Sequence, residues 1–277
     1  MSYKKMLYAI GPGEGLNERI RSALLIAKYF GSHLDIVKEE ASTDEYLKIG
    51  YHAEELTQIV KNRDKEQYLK NENLVSQEAE KLGVIISNVS IKGTATARII
   101  SDTGSRSKFI GQESKYSDLI LAASPLNGKI TTVFETSITK SGKPILMFPR
   151  KMENFNIENI LIGWNNSPEV SRAVSLAIPL LKKAKRVHII TSKEYTEDLI
   201  NITKLQEYLR FHHIETTYEI VKTTLIPGEA LLQKATEGNF DLIVAGAFGR
   251  KGFMELMLGG TTEHILKNTH IPVFMSH

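Results

Sequence analysis

Short apolar runs alternate with stretches of helical periodicity along this chain, and the alternation runs through twice. The first round opens with a strand, KKMLYAI, and a turn, GPGEG. A helix follows, with Ile20, Ala23, Leu24 and Ala27 at helical spacing. Strand HLDIVK comes next, then a long charged region, strand VIISNVSI, a helix from about Thr96, and strands DLILAA and KPILMF. The second round opens with strand NILIGW and turn NNSP. Its first helix carries Val170, Val174, Ala177, Ile178 and Leu181 on one face. Strand RVHIIT, a helix around Tyr195–His212, strand ETTYEIVK, a helix from Gly228, strand DLIVAG, a glycine-rich loop, another helix and strand IPVFM complete it.

The strands are runs of β-branched residues without polar alternation, as expected of a parallel sheet covered by helices on both faces. Strand and helix in this order predict an α/β protein: two Rossmann-like domains in tandem, each a doubly wound, parallel, five-stranded sheet. The rounds match best at their ends. Tyr116–Ile120 resembles Asn239–Ile243, and Lys143–Met147 resembles Ile271–Met275. The boundary falls near Arg150–Asn156, giving domains 1–150 and 156–277. Ile145–Phe148 and Val273–Met275 are candidate edges for intramolecular pairing of the domains. The sequence leaves a further homodimer open.

Two differences separate the rounds. The first carries a polar insertion, 41–82, whose apolar positions are Leu56, Ile59, Val60, Leu74, Val75, Ala79 and Leu82. It reads as one or two surface helices, with a partner-binding arm as the alternative. The second difference is a loop. Asp118 to Pro144 is about five residues shorter than Asp241 to Pro272, and the deficit falls where the second round has its glycines.

Composition narrows the field. Hydrophobic residues at 42% and charged residues at 24% exclude wholesale disorder. With no Cys there is neither a disulfide framework nor a thiolate metal site. A formal charge of +3 is too small to argue for nucleic acid. No apolar run reaches the length of a signal-peptide core or a spanning helix, so the expectation is a cytoplasmic protein with no membrane partner.

The chemistry is expected in the loop GAFGRKGFMELMLGGTTEHIL, because ligands of open parallel sheets bind beyond the carboxyl ends of the strands. Gly246, Gly249, Gly259 and Gly260 let the backbone approach a bulky anion. Thr261 or Thr262 is a suitable N-cap, and the N–H groups of the following helix favour a phosphate. Arg250 and Lys251 add charge. The alternative is a loop that only turns between strand and helix.

On these residues the second round resembles a universal stress protein domain. The family pattern is Gly, two residues, Gly, nine residues, Gly, then Ser or Thr; Gly246, Gly249 and Gly259 satisfy it, with Gly260 where Ser or Thr is usual. WNNSPEVSRAVSLAIPLL and the ending PVFMSH resemble the same family, and the whole chain resembles its tandem form. The resemblance implies an adenine nucleotide, ATP or AMP, with or without Mg, bound by the C-terminal domain without fast chemistry. It places Gly163, Trp164 and Asn165 at the first strand's end, with Asn165 where the family has Asp. It puts a backbone contact to adenine on Ile189, and the phosphates on Gly246 to Thr262. The first domain reads as a degenerate copy.

Other signals are weaker. Gly11-Pro12-Gly13-Glu14-Gly15 resembles a dinucleotide fingerprint, but Leu16 stands where its last glycine belongs. No P-loop or nucleophile elbow occurs. His212, His213, His264, His270 and His277 lack zinc-site spacing and read as surface or capping residues. No catalytic residue is assigned. A slow ATP hydrolase, and a nucleotide-free interaction module using 41–82, remain alternatives.

Overall fold

The computed structural model describes residues 3–11, 13–38, 53–101, 106–126, 131–193, 200–221, 227–247 and 260–277. In the first half, β1 (Lys5–Ala9), α1 (Leu16–Phe30) and β2 (His33–Val37) lead to a 30-residue helix α2 (Ala53–Leu82). Then come β3 (Ile85–Ile86), β4 (Thr96–Ile100), α3 (Arg106–Glu113), β5 (Leu119–Ala123), α4 (Thr132–Lys140) and β6 (Ile145–Phe148). The second half runs β7 (Asn159–Gly163), α5 (Pro168–Leu181), β8 (Arg186–Ser192), α6 (Ile200–Phe211) and β9 (Thr217–Val221). It closes with α7 (Pro227–Glu237), β10 (Leu242–Gly246), α8 (Gly260–Asn268) and β11 (Val273–Ser276).

The strands form one sheet in the order β3-β4-β2-β1-β5-β6-β11-β10-β7-β8-β9. The first half, without β3, follows the same permutation as the second: β4-β2-β1-β5-β6 against β9-β8-β7-β10-β11. Described neighbours are parallel except at the centre. There β6 meets β11 antiparallel, with Met147 opposite Val273, Leu146 opposite Phe274 and Ile145 opposite Met275. The whole of Ile145–Phe148 is buried. Two edges that would otherwise offer unpaired amides to other chains satisfy one another. Tyr3 reinforces the joint by donating its hydroxyl to the Leu176 carbonyl at 2.6 Å, while its ring meets Phe30 edge-on. Tyr3→Phe removes that bond and leaves a half-buried acceptor. The expected loss is about 1 kcal/mol, read from the midpoint of urea unfolding.

Helix α1 buries the predicted stripe, Ile20, Ala23, Leu24 and Ala27, completely. It stops at Gly31, whose φ of 61° is the left-handed cap that ends many helices. Helix α5 starts conventionally, with Ser167 accepting from the Val170 N–H and Pro168 in the first turn.

Three expectations need correction. The stretch from Thr96 is a strand, not a helix: Thr96–Ile100 pairs with the whole of β2, and the helix begins at Arg106. The cause is cross-strand chemistry, since Thr96 Oγ1 lies 2.7 Å from His33 Nδ1 and Arg98 reaches Asp35. Conversely, VIISNVSI is a strand only at Ile85–Ile86, and Ile85, Ile86, Val89 and Ile91 are exposed. Ser87 folds the chain away, its hydroxyl accepting from the Val89 N–H and donating to the Val89 carbonyl. Lastly, the region 41–82 is not wholly a surface insertion. Residues 41–52 lie outside the described part, but the C-terminal turns of α2 pack on α1 and bury Val75, Ala79 and Leu82. Buried Glu78 is held there by Arg21 at 3.3 Å and Lys81 at 2.6 Å.

One face of β1, β2 and β4 carries a buried ionic group. The Asp35 carboxylate, with no exposed surface, accepts from Arg98 Nε at 2.6 Å, Lys5 Nζ at 3.0 Å and His33 Nε2 at 3.2 Å. Burial alone would push this carboxyl up. The hydrogen bonds from His33, Arg98 and Lys5 overcome that and hold it well below the usual carboxylate range.

Candidate functional site

In the second half, β7, β10 and β8 end side by side, and a pocket of about 600 Å³, open mouth included, lies beyond their carboxyl ends. Gly163, Trp164 and Asn165 from the β7 end line it, with Ala245 and Gly246 from β10. Ile190, Thr191 and Ser192 of β8 form another wall, and Ala230 and Leu231 of α7 close it.

Each of these positions has a local cause. The Trp164 N–H donates to the Ile190 carbonyl at 2.8 Å and extends the β7–β8 pairing into the pocket wall. Asn165 then turns the chain. Its Oδ1 accepts from the Ser167 N–H at 3.2 Å, and Asn166 takes φ 56°. That leaves the Asn165 amide as a neutral donor at the mouth, where an Asp would bring charge. Gly246 is required by packing. A Cβ on it would sit 2.7 Å from the Val170 backbone nitrogen and 3.0 Å from the Glu169 Cβ. The glycine lets β10 end against the first turn of α5. Gly163 faces Leu231, whose methyl carbons would lie 3.1 and 3.2 Å from an added Cβ.

Helix α8 starts at Gly260, so its first N–H groups fall in the stretch where the sequence places a phosphate. Thr262 is buried in that first turn. Thr261 is in the same turn. Gly249, Arg250 and Gly259 lie outside the described residues, as does Gly128 of the first half. Ile189, expected to offer a backbone contact, has a fully buried side chain and pairs with Ile162 next to the pocket wall; the β8 residues that line the pocket are Ile190 to Ser192. Reading β8 against β7, with Gly163 opposite Ile190, finds this wall.

In the pocket's lining, Trp164 Nε1 and Thr191 Oγ1 are buried and have no hydrogen-bond partner among the described residues. Such groups are normally satisfied by protein, water or ligand. The described lining residues include no cation.

The first half treats its equivalent turn differently. Arg19, buried in α1, donates to the carbonyls of Gly11, Gly13 (2.6 Å) and Gly15 (3.2 Å). A phosphate loop presents N–H groups to its ligand. This one turns its carbonyls onto an arginine, so GPGEG is a stapled turn.

Among the described residues no group of three or more His, Asp or Glu side chains is placed to hold a metal. None of their helices is long and apolar enough to cross a membrane. His212 meets the Tyr208 ring at 4.9 Å, and His277 Nδ1 lies 3.3 Å from the Ala247 carbonyl.

Parallel strands in this permutation, with a pocket beyond their ends, define a doubly wound α/β binding fold. Residues 156–277 match the model of the universal stress protein family. Two universal stress proteins of Synechocystis are similar to it. One is 25% identical over 150 residues, covering 53% of this chain and 51% of that protein. The other is 37% identical over 49 residues, 18% of this chain and 45% of that protein. The chain thus spans about half the length of the curated relatives it matches. A universal stress protein from Archaeoglobus fulgidus shares the fold over 98% of this chain and 97% of its own, with a TM-score of 0.68 and 20% identity.

Proposed function

We propose that residues 156–277 form a domain that binds an adenine nucleotide, ATP or AMP, and serves a stress response by binding rather than by catalysis. Residues 1–150 form a second domain of the same design without a phosphate loop. The observation that carries this reading is the pocket beyond β7, β8 and β10, with buried polar atoms of Trp164 and Thr191 unpartnered among the described residues. The match of residues 156–277 to the family's model supports it, as does the Gly246, Gly249, Gly259 spacing.

The base lies in the apolar wall of Ile190, Val221 and Leu231. The ribose meets Asn165, and the phosphates meet the amides of Gly249 to Thr262. Arg250 adds charge.

Trp164 is the single tryptophan of the chain, so its fluorescence reports on this pocket alone. Two measurements test the reading. Native protein, denatured after purification, should release adenine nucleotide. Stripped protein titrated with ATP should show a saturable change in Trp164 emission. Gly259→Val places a branched side chain where phosphate belongs and should weaken the titration at least about tenfold in folded protein, the equivalent of losing one charge-assisted contact. Folded protein that carries no nucleotide and gives no response to millimolar ATP removes the proposal.

A further inference from the structure

The first half holds a larger cavity than the nucleotide pocket of the second, about 1080 Å³ with its mouth, beyond β1 and β5 and under α3 and α4. Its walls are mostly apolar, with Leu7 and Ala9 of β1, Ile110 of α3, Ile120 of β5 and Phe134 of α4; Thr131 and Ser137 are the polar wall residues. It divides the core on this face. Leu7, Val37 and Ile110 form a small cluster of their own, apart from the cluster that contains Ile120 and Phe134. In the second half the corresponding residues, Leu161, Ile190, Leu231 and Ile243, belong to one continuous cluster. Interiors are ordinarily packed without gaps of this size. Small residues make this one, Ala9 at the end of β1 with Gly11 just beyond it, and Ala122 and Ala123 on β5.

The mouth has a different character from the walls. Arg150 lies there, giving one guanidinium nitrogen to the Ser124 carbonyl at 3.2 Å and another to the Glu14 carbonyl at 2.7 Å. It makes no ion pair among the described residues, and the like charge of Arg19, also at the cavity, acts on it. Burial and that like charge both disfavour its cation. Beside it, Leu126 exposes nearly half its surface and leans against Gly13. The entrance thus pairs an aliphatic side chain with an uncompensated cation, above an apolar chamber. A polyphosphate suits it poorly, because the carbonyls of Gly11 and Gly13 point inward at Arg19.

We propose that this cavity binds a small amphipathic carboxylate of the medium-chain fatty acid class, its chain between Ile110 and Phe134 and its head group on Arg150. The chain fills space that water occupies poorly when walls are apolar. The head group accepts from guanidinium N–H groups left over from the carbonyl bonds. This site is independent of the nucleotide reading of the second half.

The test uses the full chain and sodium octanoate as probe, followed by isothermal titration calorimetry, with octanol and octylamine as neutral and cationic controls. Octanoate should bind saturably at one site, and octanol about fivefold or more weaker. Arg150→Gln should lower octanoate affinity about tenfold, as expected for losing a charge-assisted contact. Ala122→Leu fills the chamber from the β5 side and should abolish binding while Arg150 stays in place. Thermal melts establish that both variants are folded. ATP titration of Trp164 should be unchanged in both. Absence of saturable octanoate binding to the wild type overturns the proposal. So does equal binding of octanol and octanoate, or equal octanoate binding by the wild type and folded Ala122→Leu.

Discussion

Asp35→Ala should destabilise the protein by about 3 kcal/mol, the loss typical of removing one partner from a buried ionic group. The carboxylate is fully buried and is the shared acceptor of Lys5, His33 and Arg98. Its removal leaves basic groups facing one another across adjacent strands. Lys5 and Arg98 each keep about a third of their side-chain surface in water (32%), which relieves part of the cost and puts the figure at the low end of such losses.

The effect has a definite pH dependence. The folded state holds this carboxyl below its unfolded value, so the native protein binds fewer protons there than the unfolded chain. The electrostatic contribution is complete above the unfolded pKa, about 3.9, and declines as acid takes the pH down toward the lowered folded value. Urea midpoints of wild type and variant should stand apart at neutral pH and draw together below about pH 4. A separation that stays constant through that range would show that the network contributes packing and no charge pairing.

The second large effect belongs to Gly246→Val. The contacts an added Cβ would meet are backbone and near-backbone atoms of the first turn of α5, the closest at 2.7 Å, and these have no rotamer to escape into. Either β10 or α5 must shift. The expected cost is about 2–3 kcal/mol, in the range of overpacked cores. Because Gly246 also lines the pocket, ATP response at Trp164 should fall together with stability. A folded variant of unchanged stability would mean that the α5 turn is more compliant than its contacts indicate. Gly259→Val, by contrast, is expected to reduce binding with the fold retained, so the two glycines of one motif separate into a packing role and a ligand role.

The second half was the more legible in the sequence. Its inner strands β7 and β10 are near-continuous apolar runs, and Ser167-Pro168 marks a helix start without ambiguity. Its helix around Tyr195–His212 is seen as Ile200–Phe211, with residues 194–199 outside the described part. Errors in the first half share a physical origin. Thr96-Ala-Arg-Ile-Ile has no decisive period, and what makes it a strand is His33 and Asp35, more than sixty positions away. Asp35 itself hides in an apolar run, because a lone charge in HLDIVK becomes meaningful only beside Lys5 and Arg98. The cavity of the first half leaves no local trace either. It is made by alanines on two strands that meet only after folding. The pocket of the second half was foreseeable in place, from strand ends and glycines. Its β8 wall was not, since that depends on register and not on motif.

The junction of β6 with β11 has an evolutionary corollary. When two identical subunits meet about a two-fold axis, each strand residue must suit its own copy, and one mutation changes both sides at once. In this chain Phe274 faces Leu146 and Met275 faces Ile145. The partners are encoded separately and tethered, so neither dilution nor self-matching constrains them. Such freedom lets one half open a chamber beneath Arg150 without a matching change in the other.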